Sequence, residues 1–170
     1  VALNGVHDAA VRIGETVAVF GLGVPGQIVA QLARRSGVSV IGVDLVETRL
    51  ALALETGAID TAINAAEGRA GERIKELTGG RGADVSFEVS GSAAALHEAI
   101  RATAYSGTVV ALGFYQAEAS GLFLGEEFHH NRVTVVGSQI SGVNPQLTYR
   151  WNRLRLVQTV MRLQTEGLLT

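Results

Sequence analysis

The amino-acid sequence predicts a doubly wound α/β fold: a three-layer αβα arrangement around six parallel strands in the order 3-2-1-4-5-6. Three observations carry that expectation. Short apolar runs alternate with amphipathic stretches along the whole chain, the signature of repeated strand–helix units. Several of those runs are continuously apolar, as strands covered on both faces must be. The first run ends in a glycine-rich turn, Gly21-Leu22-Gly23-Val24-Pro25-Gly26, that opens a helix, and the second ends in an acid, Asp44.

The elements follow in order. An apolar, helix-like stretch occupies the start, VALNGVHDAAV. Thr16–Phe20 (TVAVF) is the first strand, and Val24–Arg35 places Ile28, Val29, Leu32 and Ala33 on one helical face before Ser36-Gly37 stops it. Val38–Val43 is the second strand, Glu47–Glu55 a helix closed by Thr56-Gly57, and Ala58–Ile63 a short third strand. Glu67–Leu77 is a helix, and a glycine-rich connection leads to Ala83–Val89, the fourth strand. Ser92 is the expected N-cap of an Ala-rich helix, Ala93–Thr103. Thr108–Leu112 is the fifth strand and Arg132–Val136 the sixth, with a short extended piece expected at Leu122–Leu124 between them. Tyr149–Thr165 is a terminal amphipathic helix.

Composition bounds the function. The 170 residues suffice for one large domain with its own core, and 47% of them are hydrophobic. A formal net charge of -2 argues against nucleic acid or an anionic membrane as the main partner. There is no cysteine, so neither a disulfide framework nor a thiolate metal site belongs to this chain. No apolar run reaches bilayer-spanning length, and Asn4, His7 and Asp8 interrupt any signal-peptide core, so a cytoplasmic domain is the expectation. The chain starts at Val1 without an initiator Met and stops directly after a helical pattern, from which a piece of a longer protein is expected.

The glycine turn has a specific chemical use. Gly21 permits a tight turn, Gly23 lets a pyrophosphate approach the backbone, and Gly26 lets the helix pack on the strand. The helix N-terminus brings partial positive charge to the phosphates. Asp44, eighteen residues beyond Gly26, is placed to accept hydrogen bonds from the adenosine ribose hydroxyls and to repel a 2′-phosphate, which favours NAD over NADP. The competing reading is a structural turn with an incidental acid at a strand end. Pro25 suits the first turn of a helix but offers no N–H. A charge-assisted hydrogen bond is worth about 1.5–3 kcal/mol, so its loss would weaken the cofactor roughly ten- to a hundredfold.

The stretches GETVAVFGLGVPGQIVAQLARRSG, VDLVETRLALALETGA, RGADVSFEVSG and SGTVVALGF, in that order, resemble the zinc-type, medium-chain alcohol dehydrogenase superfamily, in its threonine- and sorbitol-dehydrogenase-like branch. The resemblance implies the Rossmann NAD-binding domain of an alcohol or polyol dehydrogenase. Its implied cofactor contacts extend beyond Gly21, Leu22, Gly23, Val24, Pro25, Gly26 and Asp44. Arg49 would lie near the adenine, Val89, Ser90 and Gly91 along the nicotinamide half, and Leu112, Gly113 and Phe114 near the carboxamide. An exposed helix arginine competes for Arg49, and turn and capping chemistry for Ser90 and Gly91.

The resemblance further implies that zinc and the catalytic residues belong to a preceding GroES-like domain of the same polypeptide. This chain then binds cofactor, carries no catalytic or metal-ligating residue, and is inactive alone. A small alcohol or carbonyl substrate would sit between the two domains. A homodimer through the region of Leu122–Leu124 and Arg132–Val136 is also implied. Two other functions share the loop and the acid: a stand-alone regulatory dinucleotide-binding module and an S-adenosylmethionine-dependent transferase. Adjacent His129 and His130 could bind metal or relay protons, but neighbouring side chains diverge, and a solvated turn is the expectation there. His7 and His97 are expected to be structural or exposed, and Ser138-Gln139 to be either a polar strand end or a link toward the catalytic half.

Overall fold

The computed structural model describes residues 1–170. Six strands form one all-parallel sheet in the order β3-β2-β1-β4-β5-β6. They are β1 (Thr16–Phe20), β2 (Ser39–Asp44), β3 (Thr61–Asn64), β4 (Ala83–Glu88), β5 (Thr103–Ala111) and β6 (Thr134–Gly137). The helices are α1 (Ala2–Ala9), α2 (Val24–Arg35), α3 (Glu47–Glu55), α4 (Ala70–Leu77), α5 (Ala93–Ala102), the single turn α6 (Glu127–His130) and α7 (Arg153–Thr165). No helix is long and apolar enough to cross a membrane.

The period-2 geometry of β1 sorts its side chains onto two separate cores. Val17 and Val19 join Val40, Val85, Phe87 and Val110 under α1, α2 and α3. Ala18 and Phe20 join Ile41, Val43 and Val109 under α4 and α5. Both faces of the central strands are thus covered, which explains why their sequences carry no polar alternation. The order reverses at β1, whose neighbours are β2 and β4, so the crevice at their carboxyl ends is the topological switch point of the fold.

Several boundaries differ from the sequence expectation, each for a local reason. The apolar pair Ala58-Ile59 is buried but belongs to the turn after α3, and the β3 ladder begins only at Thr61. Between them Asp60 accepts from the Val40 N–H (2.8 Å) and pairs with Arg34 (2.6 Å), fixing the strand's entry. A 3₁₀ turn, Ala65–Glu67, precedes α4, and Arg69 takes a left-handed φ of 58° before the helix starts. Strand β5 begins five residues earlier than its apolar run suggests, because Thr103 pairs with Ala83 before a register shift. Ser106, with φ 57°, lies within that irregular part of the strand. Leu122–Leu124 joins no ladder. Strand β6 starts at Thr134 rather than Arg132, which has a φ of 51°. Helix α7 starts at Arg153, where Asn152 caps the Arg155 N–H (2.9 Å).

Candidate dinucleotide site at the switch point

The three glycines of the first loop meet three different physical demands. Gly21 has a φ of 92°, a conformation L-residues avoid, and its N–H continues the ladder to Val43 O (2.8 Å). A Cβ on Gly26 would lie 1.9 Å from the Gly21 carbonyl oxygen, so helix α2 rests directly on the turn. Gly23, the N-cap of α2, has an ordinary φ of -65°, and a Cβ there would meet nothing within 4 Å. Folding therefore uses Gly21 and Gly26, while Gly23 keeps an open surface beside the helix terminus. Pro25 is the second residue of α2.

Asp44 ends β2 beside this loop and is 7% exposed. Its Oδ2 accepts from the Leu22 N–H (2.6 Å) and its Oδ1 from the Val46 N–H (2.9 Å). The Arg49 guanidinium stands 3.7 Å from the same Oδ2 and is itself half exposed. The carboxylate thus fastens the glycine loop to the β2–α3 corner while facing an open cleft.

That cleft, of about 520 Å³, runs from the glycine loop across the ends of β1, β2 and β4 to the starts of α4 and α5. Of the residues expected from sequence, Gly21, Gly23, Pro25, Gly26, Asp44, Arg49, Val89 and Ser90 line it. Leu22 does not, because it is buried beneath the loop, and Val24 points away at 76% exposure. Gly91, Leu112, Gly113 and Phe114 lie outside it as well. Phe114 is 82% exposed. Gly91 and Gly113 instead sit backbone against backbone: a Cβ on Gly113 would fall 2.2 Å from the Gly91 N. A second groove of about 570 Å³ lies at the β3 edge between α3 and α4. Glu47, Glu67, Glu72 and Glu76 line it against only Arg69 and Arg73, a net negative wall unfavourable for phosphates.

Sequence reasoning missed the group that organises the β4 end. Glu88 is fully buried and accepts from the Ser90 N–H (2.8 Å) and the Gly91 N–H (3.1 Å). The Ser90 and Tyr115 hydroxyls donate to it as well. Burial, then the bond to Glu88, pushes the Tyr115 phenol well above its usual range, so it remains a donor. The Ser90 hydroxyl, committed to Glu88, also accepts from the Ser92 N–H (3.2 Å), and Ser92 caps α5 through the Ala95 N–H (3.4 Å). Arg69 and Glu98 were also missed, although both line the cleft; Glu98 accepts from the Gly71 N–H (2.7 Å) at the start of α4. No sequence signal marked either residue: Glu98 is one of several charged residues on the helices, and Arg69 precedes a helix without a capping side chain.

The remaining polar candidates lie elsewhere. His129 and His130 form one exposed turn of α6, and no three His, Asp or Glu side chains converge as a metal site. Beside them Arg101, paired with Glu98 of its own helix (2.9 Å), ties α5 to Glu72 (2.9 Å) and Glu127 (3.4 Å), and Lys75 reaches Glu127 (3.3 Å). Burial works to raise the Glu127 carboxyl, but its hydrogen bonds and these cations outweigh it and hold it below the ordinary value. His97 lies on α5 with its ring 6.1 Å from Phe123. His7 packs edge-on to Trp151 (4.3 Å). Ser138 donates to Asp8 (2.7 Å), and Gln139 O accepts from Asn4 (3.5 Å), so the segment after β6 is fastened to α1.

The sequence model of the zinc-binding dehydrogenases matches residues 23–158. The chain belongs to this family. One curated relative is the D-guloside 3-dehydrogenase of Escherichia coli (strain K12), 45% identical over 170 residues. That match covers 99% of this chain and 48% of the relative, so the chain spans about half of that relative's length. Among solved structures, the alcohol dehydrogenase TADH of Thermus sp. ATN1 superposes with a TM-score of 0.80 at 27% identity, over 99% of this chain and 46% of that one. A candidate zinc-binding dehydrogenase from Sinorhizobium meliloti 1021, solved bound to NADP, gives 0.79 at 26% identity over 99% and 46%.

Proposed function

We propose that this chain is the NAD(H)-binding domain of a zinc-type alcohol or polyol dehydrogenase. The observation that carries the reading is the pairing of the glycine loop with Asp44 across one cleft at the topological switch point. The open space at Gly23 fits a pyrophosphate, and the N-terminus of α2 offers it partial positive charge. Asp44 would receive the adenosine ribose and disfavour a 2′-phosphate, with Arg49 alongside. Val89 and Ser90 would border the nicotinamide half. The bound nicotinamide supplies hydride transfer, and this chain's residues contribute binding and orientation. In this reading the zinc and the catalytic groups would lie on a further domain outside this chain, as the match to only about half of the curated relatives' length supports.

The 45% identity to a D-guloside 3-dehydrogenase favours a secondary alcohol on a sugar or polyol as substrate. The half-length match supports a catalytic partner domain outside this chain, without which no turnover is expected. Strand β6 lies at the sheet edge with Val135 partly exposed, which favours pairing with a second copy there. Calorimetric titration with NADH, NADPH and S-adenosylmethionine tests the central reading. NADH is expected to bind tightest; tighter NADPH binding would sink the Asp44 argument, and binding of S-adenosylmethionine alone would replace the reading with a transferase.

A further inference from the structure

Gln27, the residue directly after the last glycine of the loop, does not line the cleft and is 8% exposed. Its Nε2 donates to two backbone carbonyls: Leu22 O (3.2 Å) in the glycine loop and Arg49 O (2.9 Å) in the first turn of α3. Two acceptors on one side fix the amide's orientation, and its Oε1 is buried without a partner. Leu22 is therefore held at both its N–H and its C=O by residues outside its own turn. Its N–H goes to Asp44 and its C=O to Gln27. Asp44 also binds the Val46 N–H, and Gln27 the Arg49 carbonyl, so both holders reach the β2–α3 corner. The result is a closed ring of four anchors between the phosphate loop and the ribose acid.

We infer that Gln27 is a positioning residue that sets the separation between the phosphate-binding loop and Asp44. It thereby controls affinity for ligands that engage both, and this inference rests on the dinucleotide reading of the cleft. A ligand that bridges the two elements benefits only if they are already at the right separation. One that touches the ribose acid alone is indifferent to it. An apolar residue of similar length at position 27 would leave the Leu22 and Arg49 carbonyls without this donor and free the loop to shift.

The test is calorimetric titration of the wild-type chain, Gln27→Met and Gln27→Glu with ADP-ribose, which spans loop and acid, and with adenosine, which reaches only the acid. Both variants remove the donor, one without charge and one with it. Losing two neutral hydrogen bonds predicts an ADP-ribose affinity lower by about tenfold in each, with adenosine affinity unchanged. Thermal melts run alongside identify the folded fraction to which the titrations refer. An equal loss for both ligands would make Gln27 a merely structural residue and overturn the inference, as would no loss for either. A variant that does not fold also overturns it, by making the amide a folding requirement. A wild-type chain that binds neither ligand overturns the dinucleotide reading together with the inference.

Discussion

Two carboxylates, Asp44 and Glu88, end the two strands that flank β1, and they use the same chemistry to different effect. Each is buried, and each accepts backbone N–H groups from the loop that follows its own strand. Asp44 reaches across to the neighbouring glycine loop at Leu22 and keeps a face toward the cleft with Arg49. Glu88 is closed over by Ser90, Gly91 and Tyr115 and has no exposed face. A buried carboxylate needs several donors before its desolvation is offset. Glu88 has spent its accepting capacity on the fold, whereas Asp44 retains an opening toward solvent. An acid at a strand end is thus no evidence of ligand contact until its other partners are known.

Glu88→Ala is expected to have the largest effect on stability. It leaves the Ser90 and Gly91 amides and the Tyr115 hydroxyl without their acceptor, at about 3–5 kcal/mol in total. For a chain of this size that lowers the melting temperature on the order of 10 °C, readable by circular dichroism. Asp44→Ala should cost less stability, about 1–2 kcal/mol, because it strands one buried amide, that of Leu22, while the Val46 amide borders the solvated cleft. Its larger signature is a loss of NADH affinity of roughly tenfold or more, with NADPH penalised less. If denaturant unfolding ranks the two variants equally and NADH binds both alike, the contrast between the carboxylates collapses.

Tyr115→Phe sharpens it further. Removing one donor should cost about 1 kcal/mol in a urea melt and leave NADH binding unaltered, since Tyr115 lies outside the cleft. The smallest expected effect comes from the opposite face of the sheet. Burial beside Trp151, then the nearby Arg150 and Arg155, lowers the His7 pKa against the pull of Asp8. The folded state therefore favours neutral His7. Its contribution is complete above the unfolded value of 6.5 and declines as pH falls through 6.5 toward the depressed folded value. His7→Gln should flatten this slope in thermal melts between neutral and mildly acidic pH, and an unchanged slope would assign it elsewhere.

What could be read in the sequence was whatever local pattern decides. Val17–Phe20 and Val40–Val43 declare buried strands by composition, and their order along the chain sets the winding. The glycine loop and Asp44 were visible because spacing and strand-end position are properties of the string. The path of β5 was not, because TAYSG pairs through a register shift that only its partner strand explains. Neither were Glu88, Gln27 or Glu98, each of which has at least one partner, Tyr115, Arg49 or Gly71, brought close by folding. Phe114 marks another limit: its place after a strand end suggests a contact, and the folded chain leaves its ring exposed outside the cleft.

Gly23 separates folding from use. An alanine there has an ordinary backbone conformation and open space for its methyl group, whereas the same change at Gly26 drives carbon into the Gly21 carbonyl. A randomised library selected only for chains that fold would hold glycine at 21 and 26 and let position 23 drift. Selected for retention on an immobilised dinucleotide, the same library would keep all three.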